Sequence, residues 1–155
     1  ITTFRKLAEQ ALDRLAPIFP DMGPDWTSGS VLPGGDIDDG NFDEFLMSAK
    51  SKLDWLPAEQ LTHYARLYGT RLFTLLNDVR HIDELGERFG TNFYEIEARY
   101  LIEHEWAKSA EDILKRRTKH GLHMSASEIA HFETWFNAIL VEPSVTISTS
   151  KQSAS

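Results

Sequence analysis

The sequence predicts an all-α single domain of about six helices, and three observations carry that reading. Apolar residues recur at three- and four-residue spacing along most of the 155 residues. Helix start and stop signals bracket those runs, and no pair of alternating segments reads as a β-hairpin.

In "TTFRKLAEQALDRLA" the apolar positions Phe4, Leu7, Ala8, Ala11, Leu12 and Leu15 fall on one helical face. Thr2 or Thr3 supplies a hydroxyl that can accept from an otherwise unpaired N–H at the helix start. The next stretch, "APIFPDMGPDWTSGSVLPGGDIDDG", holds all but two of the six Pro and reads as a connector. Helix resumes at "NFDEFLMSAKSKL", where Asn41 and Glu44 have capping-box spacing. Pro57 suits a first helical turn, and "PAEQLTHYARLYG" stops at Gly69, a C-terminal cap. A short helix over 71–76 comes next, then an irregular piece with turns near Gly86 and Gly90. Residues 94–105 form a strong helix, and Ser109 caps another reaching Arg117. Ser125-x-x-Glu128 opens a last helix with Ile129, Phe132, Phe136, Ile139 and Leu140 on one face. From Pro143 the tail "PSVTISTSKQSAS" is Ser/Thr-rich and reads as disordered.

Composition narrows the function classes. A net charge of −8 sets an overall field against phosphate, so nucleic acid is not an expected partner. With no cysteine there is no disulfide, thiolate metal site or cysteine nucleophile. No apolar run approaches the roughly 18 residues that span a bilayer. The chain opens at Ile1 directly on a helical pattern, which is read here as a piece of a longer polypeptide.

Spacing alone gives no catalytic or metal signature. In "GGDIDDGNFDE" the acidic run suggests calcium, but counting from Asp36 glycine falls one place early and Met47 stands where the bidentate glutamate is needed. Glu128-x-x-His131 has di-iron spacing, yet such a site needs a second copy and two more glutamates. His120-x-x-His123 straddles Gly121, where a helix should end, so the rings need not share a face. His104-Glu105 begins like a zincin motif, but Lys108 takes the second histidine's place.

The acidic chain gathers positive charge at Lys115, Arg116, Arg117, Lys119 and His120, just after Glu103, Glu105, Glu111 and Asp112. Cations there complement a helix C-terminus, and Asp112 and Arg116 form an i, i+4 pair. Because the field opposes phosphate, the cluster reads first as a fastening between helices, with partner or interdomain contact as its other use.

The segments "ITTFRKLAEQAL", "VLPGGDI", "HYARLYG" and "LGERFGTNFYEIEARYLIEHEWAKSAEDILKRRTKHGL" occur in this order, and together they resemble the C-terminal part of FAD-dependent, membrane-associated glycerol-3-phosphate dehydrogenase. The similarity runs from Ile1 to about Leu140, and the block 94–122 is its most specific part. It implies a helical cap domain over 41–142, a connector over 17–40, and residues 1–16 as the terminal helix of an upstream FAD domain. Residues 143–155 are left as tail. The complete enzyme would oxidise sn-glycerol 3-phosphate to dihydroxyacetone phosphate and pass electrons from FAD to quinone. Oxygen-using glycerophosphate oxidases form a nearby alternative. The resemblance further implies a cytoplasmic enzyme peripheral to the inner membrane, and it leaves a homodimer open.

In that family a Gly-Gly-Lys element beside flavin and substrate precedes the residues matching Ile1–Arg5, and it is not among these 155 residues. Nor is the Gly-rich dinucleotide fingerprint. By resemblance Thr2 and Thr3 are cofactor-proximal in the complete protein, where their helix start would favour negative charge on reduced flavin. Arg5 matches the same segment and equally suits a structural ion pair. Glu103, Asp112, Arg116 and Arg117 are expected in structural or interdomain ion pairs. The expectation is thus a fragment that folds, holds no FAD of its own and is inactive alone. A separate helical interaction module, using Trp55, Trp106 and Trp135 as core or interface anchors, is the contrasting class.

Overall fold

Residues 2–141 are described by the structure, a computed structural model. The predicted tail from Pro143 lies outside the described residues. Six α-helices follow one another as α1 (Thr2–Leu15), α2 (Phe42–Lys52), α3 (Ala58–Tyr68), α4 (Leu72–Leu75), α5 (Glu95–His104) and α6 (Ala126–Val141). Among the described residues there is no strand, only one antiparallel bridge between Arg88 and Tyr94.

Local chemistry sets the helix ends. The Asn41 side chain accepts from the Glu44 N–H at 3.3 Å and starts α2. At α6, Ser125 Oγ accepts from the Glu128 N–H at 3.3 Å while Glu128 Oε2 accepts from the Ser125 N–H at 2.7 Å. That reciprocal arrangement satisfies two otherwise orphan donors, typically worth about 1 kcal/mol. Pro57 stands at the N-cap of α3, one place before the first turn in which it was expected. The segment expected to be helical up to Arg117 ends in a π-helical turn, Asp112–Arg117. Asp112 Oδ2 accepts from the N–H groups of Lys108 and Ser109, each at 3.1 Å, and Ser109 Oγ accepts from the Asp112 N–H. At the far end Thr118 closes the wider turn with its N–H and hydroxyl on the Ile113 carbonyl.

The core forms where α2 to α6 meet. Leu61, Leu72, Leu85, Ala98 and Ile113 are fully or almost fully buried. Burial of each Leu or Ile side chain contributes about 1.5–3 kcal/mol. An aromatic layer holds α6 down: Phe132 lies 5.0 Å from Phe89 and 4.9 Å from Phe93, and Phe89 lies 4.9 Å from Trp135. The predicted α6 face is narrower than expected. Phe132 and Phe136 are buried, whereas Leu140 is 57% exposed.

Helix α1 stands apart from this core. Its apolar face, predicted from spacing, is presented outward: Phe4 is 74%, Leu7 62% and Leu12 46% exposed. Arg5 pairs with Glu9 at 2.5 Å, and Thr27 of the connector donates to the same Glu9 oxygen at 2.6 Å. Further on, the connector is tied to the end of α3. The Gly34 carbonyl accepts from the Thr70 N–H at 3.0 Å, and the Thr70 hydroxyl donates to Asp36. Gly34 and Gly69 have φ of +84° and +54°, and their backbones touch without room for a Cβ on either.

Candidate functional site

The residues singled out from the sequence do not converge on one site. The side chains of Thr2 and Thr3 fall outside the described residues. Arg5 stays on α1 with Glu9. Arg116 pairs with Asp112 at 2.5 Å within its own π turn and is largely exposed. Arg117 is also exposed, and neither it nor Glu103 has an ion-pair partner among the described residues. Glu103 instead borders a groove of about 670 Å³ that Phe73, Asp78, Arg99, Tyr100 and His104 also line.

The di-iron spacing is used structurally. Glu128 is spent on the α6 cap, and His131 faces Glu87 at 2.9 Å. His120 and His123 diverge, one buried and one exposed. Of the three tryptophans, Trp55 and Trp135 pack against the core, but Trp106 is 80% exposed. Trp106 ends α5 with φ of +55° while the following Ala107 N–H reaches back to the Leu101 carbonyl at 3.0 Å. A left-handed residue in that place is usually glycine, so the backbone holds a large aromatic out on the surface at a conformational cost.

Side-chain chemistry concentrates around Glu97, which was not singled out from the sequence. Glu97 of α5 is completely buried. Its Oε1 accepts from the Tyr68 hydroxyl at 2.7 Å and lies 3.0 Å from His120 Nε2. Its Oε2 faces His63 Nε2 at 3.9 Å, beyond hydrogen-bond reach. His63 Nε2, Glu97 Oε2 and the Tyr64 hydroxyl are buried with no hydrogen-bond partner among the described residues. The Phe93 ring stacks on His120 at 4.4 Å, and the two imidazoles lie 5.2 Å apart.

Helix α3 thus contributes His63, Tyr64 and Tyr68, α5 contributes Glu97, and the turn after the π helix brings in His120. No Lys or Arg forms an ion pair with Glu97 among the described residues. Burial pushes the Glu97 carboxyl up, and the His120, His63 and Tyr68 side chains pull it down further, leaving it below the ordinary carboxylate value. The carboxyl is thus held inside the core by Tyr68 and His120, with no Lys or Arg beside it among the described residues. This internal fastening links α3, α5 and the turn at His120, the task expected of Arg116 and Arg117. A signal for it exists in the sequence. Glu97 lies one helical turn from Phe93 and Leu101, so a charged residue occupies an apolar stripe.

Residues 26–134 match the family model for the C-terminal domain of alpha-glycerophosphate oxidase. The chain is 48% identical to D-erythritol 1-phosphate dehydrogenase of Brucella abortus, over 91% of this chain and 28% of that protein. It is 42% identical to aerobic glycerol-3-phosphate dehydrogenase of Escherichia coli, over 87% of this chain and 27% of that protein. With glycerol-3-phosphate dehydrogenase of Pseudomonas aeruginosa the identity is 44%, over 83% and 25%. The chain accordingly spans about a quarter of the length of the curated relatives it matches. The match through the core helices and the turn that carries His120 shows that this chain belongs to the family of C-terminal domains of alpha-glycerophosphate oxidase.

Proposed function

We propose that this chain is the helical C-terminal domain of an FAD-dependent dehydrogenase that oxidises sn-glycerol 3-phosphate to dihydroxyacetone phosphate and delivers electrons to quinone. The observation that carries the reading is the family match over residues 26–134, joined to glycerol-3-phosphate dehydrogenases that are 42% and 44% identical over the aligned residues. The domain's own part is structural: it packs on the catalytic polypeptide and performs no step of the oxidation.

FAD would supply hydride acceptance in such an enzyme, and the acidic residues of this chain suit its pyrophosphate poorly. A dinucleotide pyrophosphate needs a glycine-rich turn opening on a helix N-terminus. Here the glycine-bearing connector runs into Asp36, Asp38 and Asp39, and the first turn of α2 carries Asp43 and Glu44, all of which repel phosphate. The groove beside Glu103 carries Asp78 and Glu103 against a single arginine, Arg99, which is paired with Glu95. What the chain offers instead is contact surface. The outward apolar face of α1 and the exposed Trp106 suit a neighbouring domain. No helix among the described residues is long and apolar enough to cross a membrane. In this reading the full-length enzyme is peripheral to the cytoplasmic face of the inner membrane, an attachment that needs no spanning helix.

A second reading concerns the substrate. The 48% identity to D-erythritol 1-phosphate dehydrogenase favours a longer polyol phosphate as well. Both readings are tested by expressing the chain alone, the upstream polypeptide alone and the two together, then assaying dye reduction with either phosphate. Activity only on mixing supports the structural role, and the preferred phosphate decides between the substrates. Flavin retained by this chain after gel filtration, or turnover by it alone, overturns the proposal.

A further inference from the structure

The cluster around Glu97 has a feature that hydrogen bonding leaves unexplained. A carboxylate oxygen of Glu97, an imidazole nitrogen of His63 and the Tyr64 hydroxyl are all buried without a hydrogen-bond partner among the described residues. Leaving such a group unpaired is costly, and more so when it is charged. The three ligand atoms of His63, Glu97 and His120 lie within 4.8 Å of one another. Two imidazoles aim the same nitrogen, Nε2, at the two oxygens of one carboxylate.

We propose that His63, Glu97 and His120 form a binding site for a divalent cation, zinc being the best match, that staples α3, α5 and the turn at His120 together. Two histidines and a glutamate are a ligand set that zinc uses, at metal–ligand distances of about 2.0–2.2 Å. In a tetrahedral arrangement such ligands stand roughly 3.3–3.5 Å from each other. The separations here are 3.0 Å from His120 Nε2 to Glu97 Oε1 and 3.9 Å from His63 Nε2 to Glu97 Oε2, the two oxygens of one carboxylate, and all three ligand atoms lie within 4.8 Å of one another. Side-chain shifts of under about 1 Å bring both into range. The cation replaces the proton between His120 and Glu97 and engages the orphaned His63 nitrogen. It also supplies the positive charge that no Lys or Arg brings to this carboxylate. The fourth position falls to water. The His63 side chain is 23% exposed and borders a shallow groove with Glu59, Thr62 and Arg66, so an ion has a route inward. This inference does not depend on the flavin reading, because every ligand lies on the present chain.

The test uses the purified protein, stripped with a chelator and titrated separately with Zn²⁺ and Co²⁺. One ion per chain is expected, with the intense visible bands of four-coordinate Co²⁺. At free zinc about 100 times the dissociation constant, Tm should rise by roughly 5–10 °C. E97Q and H63Q should each weaken binding by more than about 100-fold, since even outer partners of metal ligands are worth about 10–100-fold. H63Q changes a half-buried residue, so it reports on binding even if E97Q does not fold. Circular dichroism checks that the helices of each variant are intact. A Co²⁺ spectrum that stays that of the hydrated ion, with no change in Tm, overturns the proposal. Binding that survives undiminished in folded H63Q overturns it too, because the ion is then elsewhere.

Discussion

Two sequence blocks, "VLPGGDI" and "HYARLYG", meet at Gly34 and Gly69, and substituting either glycine by alanine tests whether that junction holds the connector to the helical core. A Cβ on Gly69 would sit 2.8 Å from the Gly34 carbonyl carbon and overlap its oxygen, while one on Gly34 would overlap the Tyr68 carbonyl oxygen. In both cases the obstacle is backbone, which cannot swing aside as a flexible side chain would. Positive φ adds a cost of about 1–2 kcal/mol for any L-residue with a Cβ. Separating the segments breaks the Thr70 N–H to Gly34 bond, worth about 0.5–1.5 kcal/mol, and strains the Thr70–Asp36 contact. Together these give about 2–4 kcal/mol per substitution, or a fall in Tm of roughly 5–15 °C. Alanine also reduces the freedom of the unfolded chain by about 0.4–1 kcal/mol, which offsets only part of the loss. The double variant should fall short of the sum by about 1–2 kcal/mol, because the shared docking can be lost only once. Thermal and urea unfolding of all four proteins measures this. Single substitutions that lower Tm by less than about 2 °C, or strictly additive effects, would refute the reasoning.

Three further outcomes are expected. Lys108 and Ser109, with Arg116, hold the Asp112 carboxyl at about 2, below its usual 3.8, so its contribution is present above the usual value and disappears as pH falls toward 2. The Tm difference between the natural protein and D112N should therefore be full at neutral pH and shrink on acidification through that window. Tyr68→Phe removes the donor to buried Glu97 and should destabilise by about 1.5–3 kcal/mol in denaturant titration; a loss below about 0.5 kcal/mol would mean the hydroxyl is not needed there. Leu7→Glu on the exposed face of α1 should leave the stability of this chain within about 0.5 kcal/mol. The same change should weaken recombination with the upstream polypeptide by about tenfold or more, measured by titrating activity on mixing.

Helix positions were legible because their causes are local. Asn41, Gly69 and the Ser125–Glu128 pair act within a few residues of themselves, so spacing alone located those ends. Periodicity also identified the α1 face, but it could not say that this face would lie open. An apolar stripe records that something covers it, not what. The family resemblance, carried mainly by residues 94–122, agrees with the match over residues 26–134. Within the basic cluster only His120 reaches a distant helix, at Glu97. Asp112 and Arg116 are close in sequence and do pair, yet the pair stays within one exposed turn.

What the sequence by itself determined was the set of helices, their caps, and an acidic, cysteine-free chain with no signature of its own for catalysis. Only the tertiary structure brought Gly34 against Gly69 and gathered His63, Tyr68, Glu97 and His120 around one carboxylate. These partners lie 23 to 35 residues apart in the chain. Helical periodicity acts over three or four residues, so it carries no information about which distant side chains will share a buried space; that is decided when the helices pack.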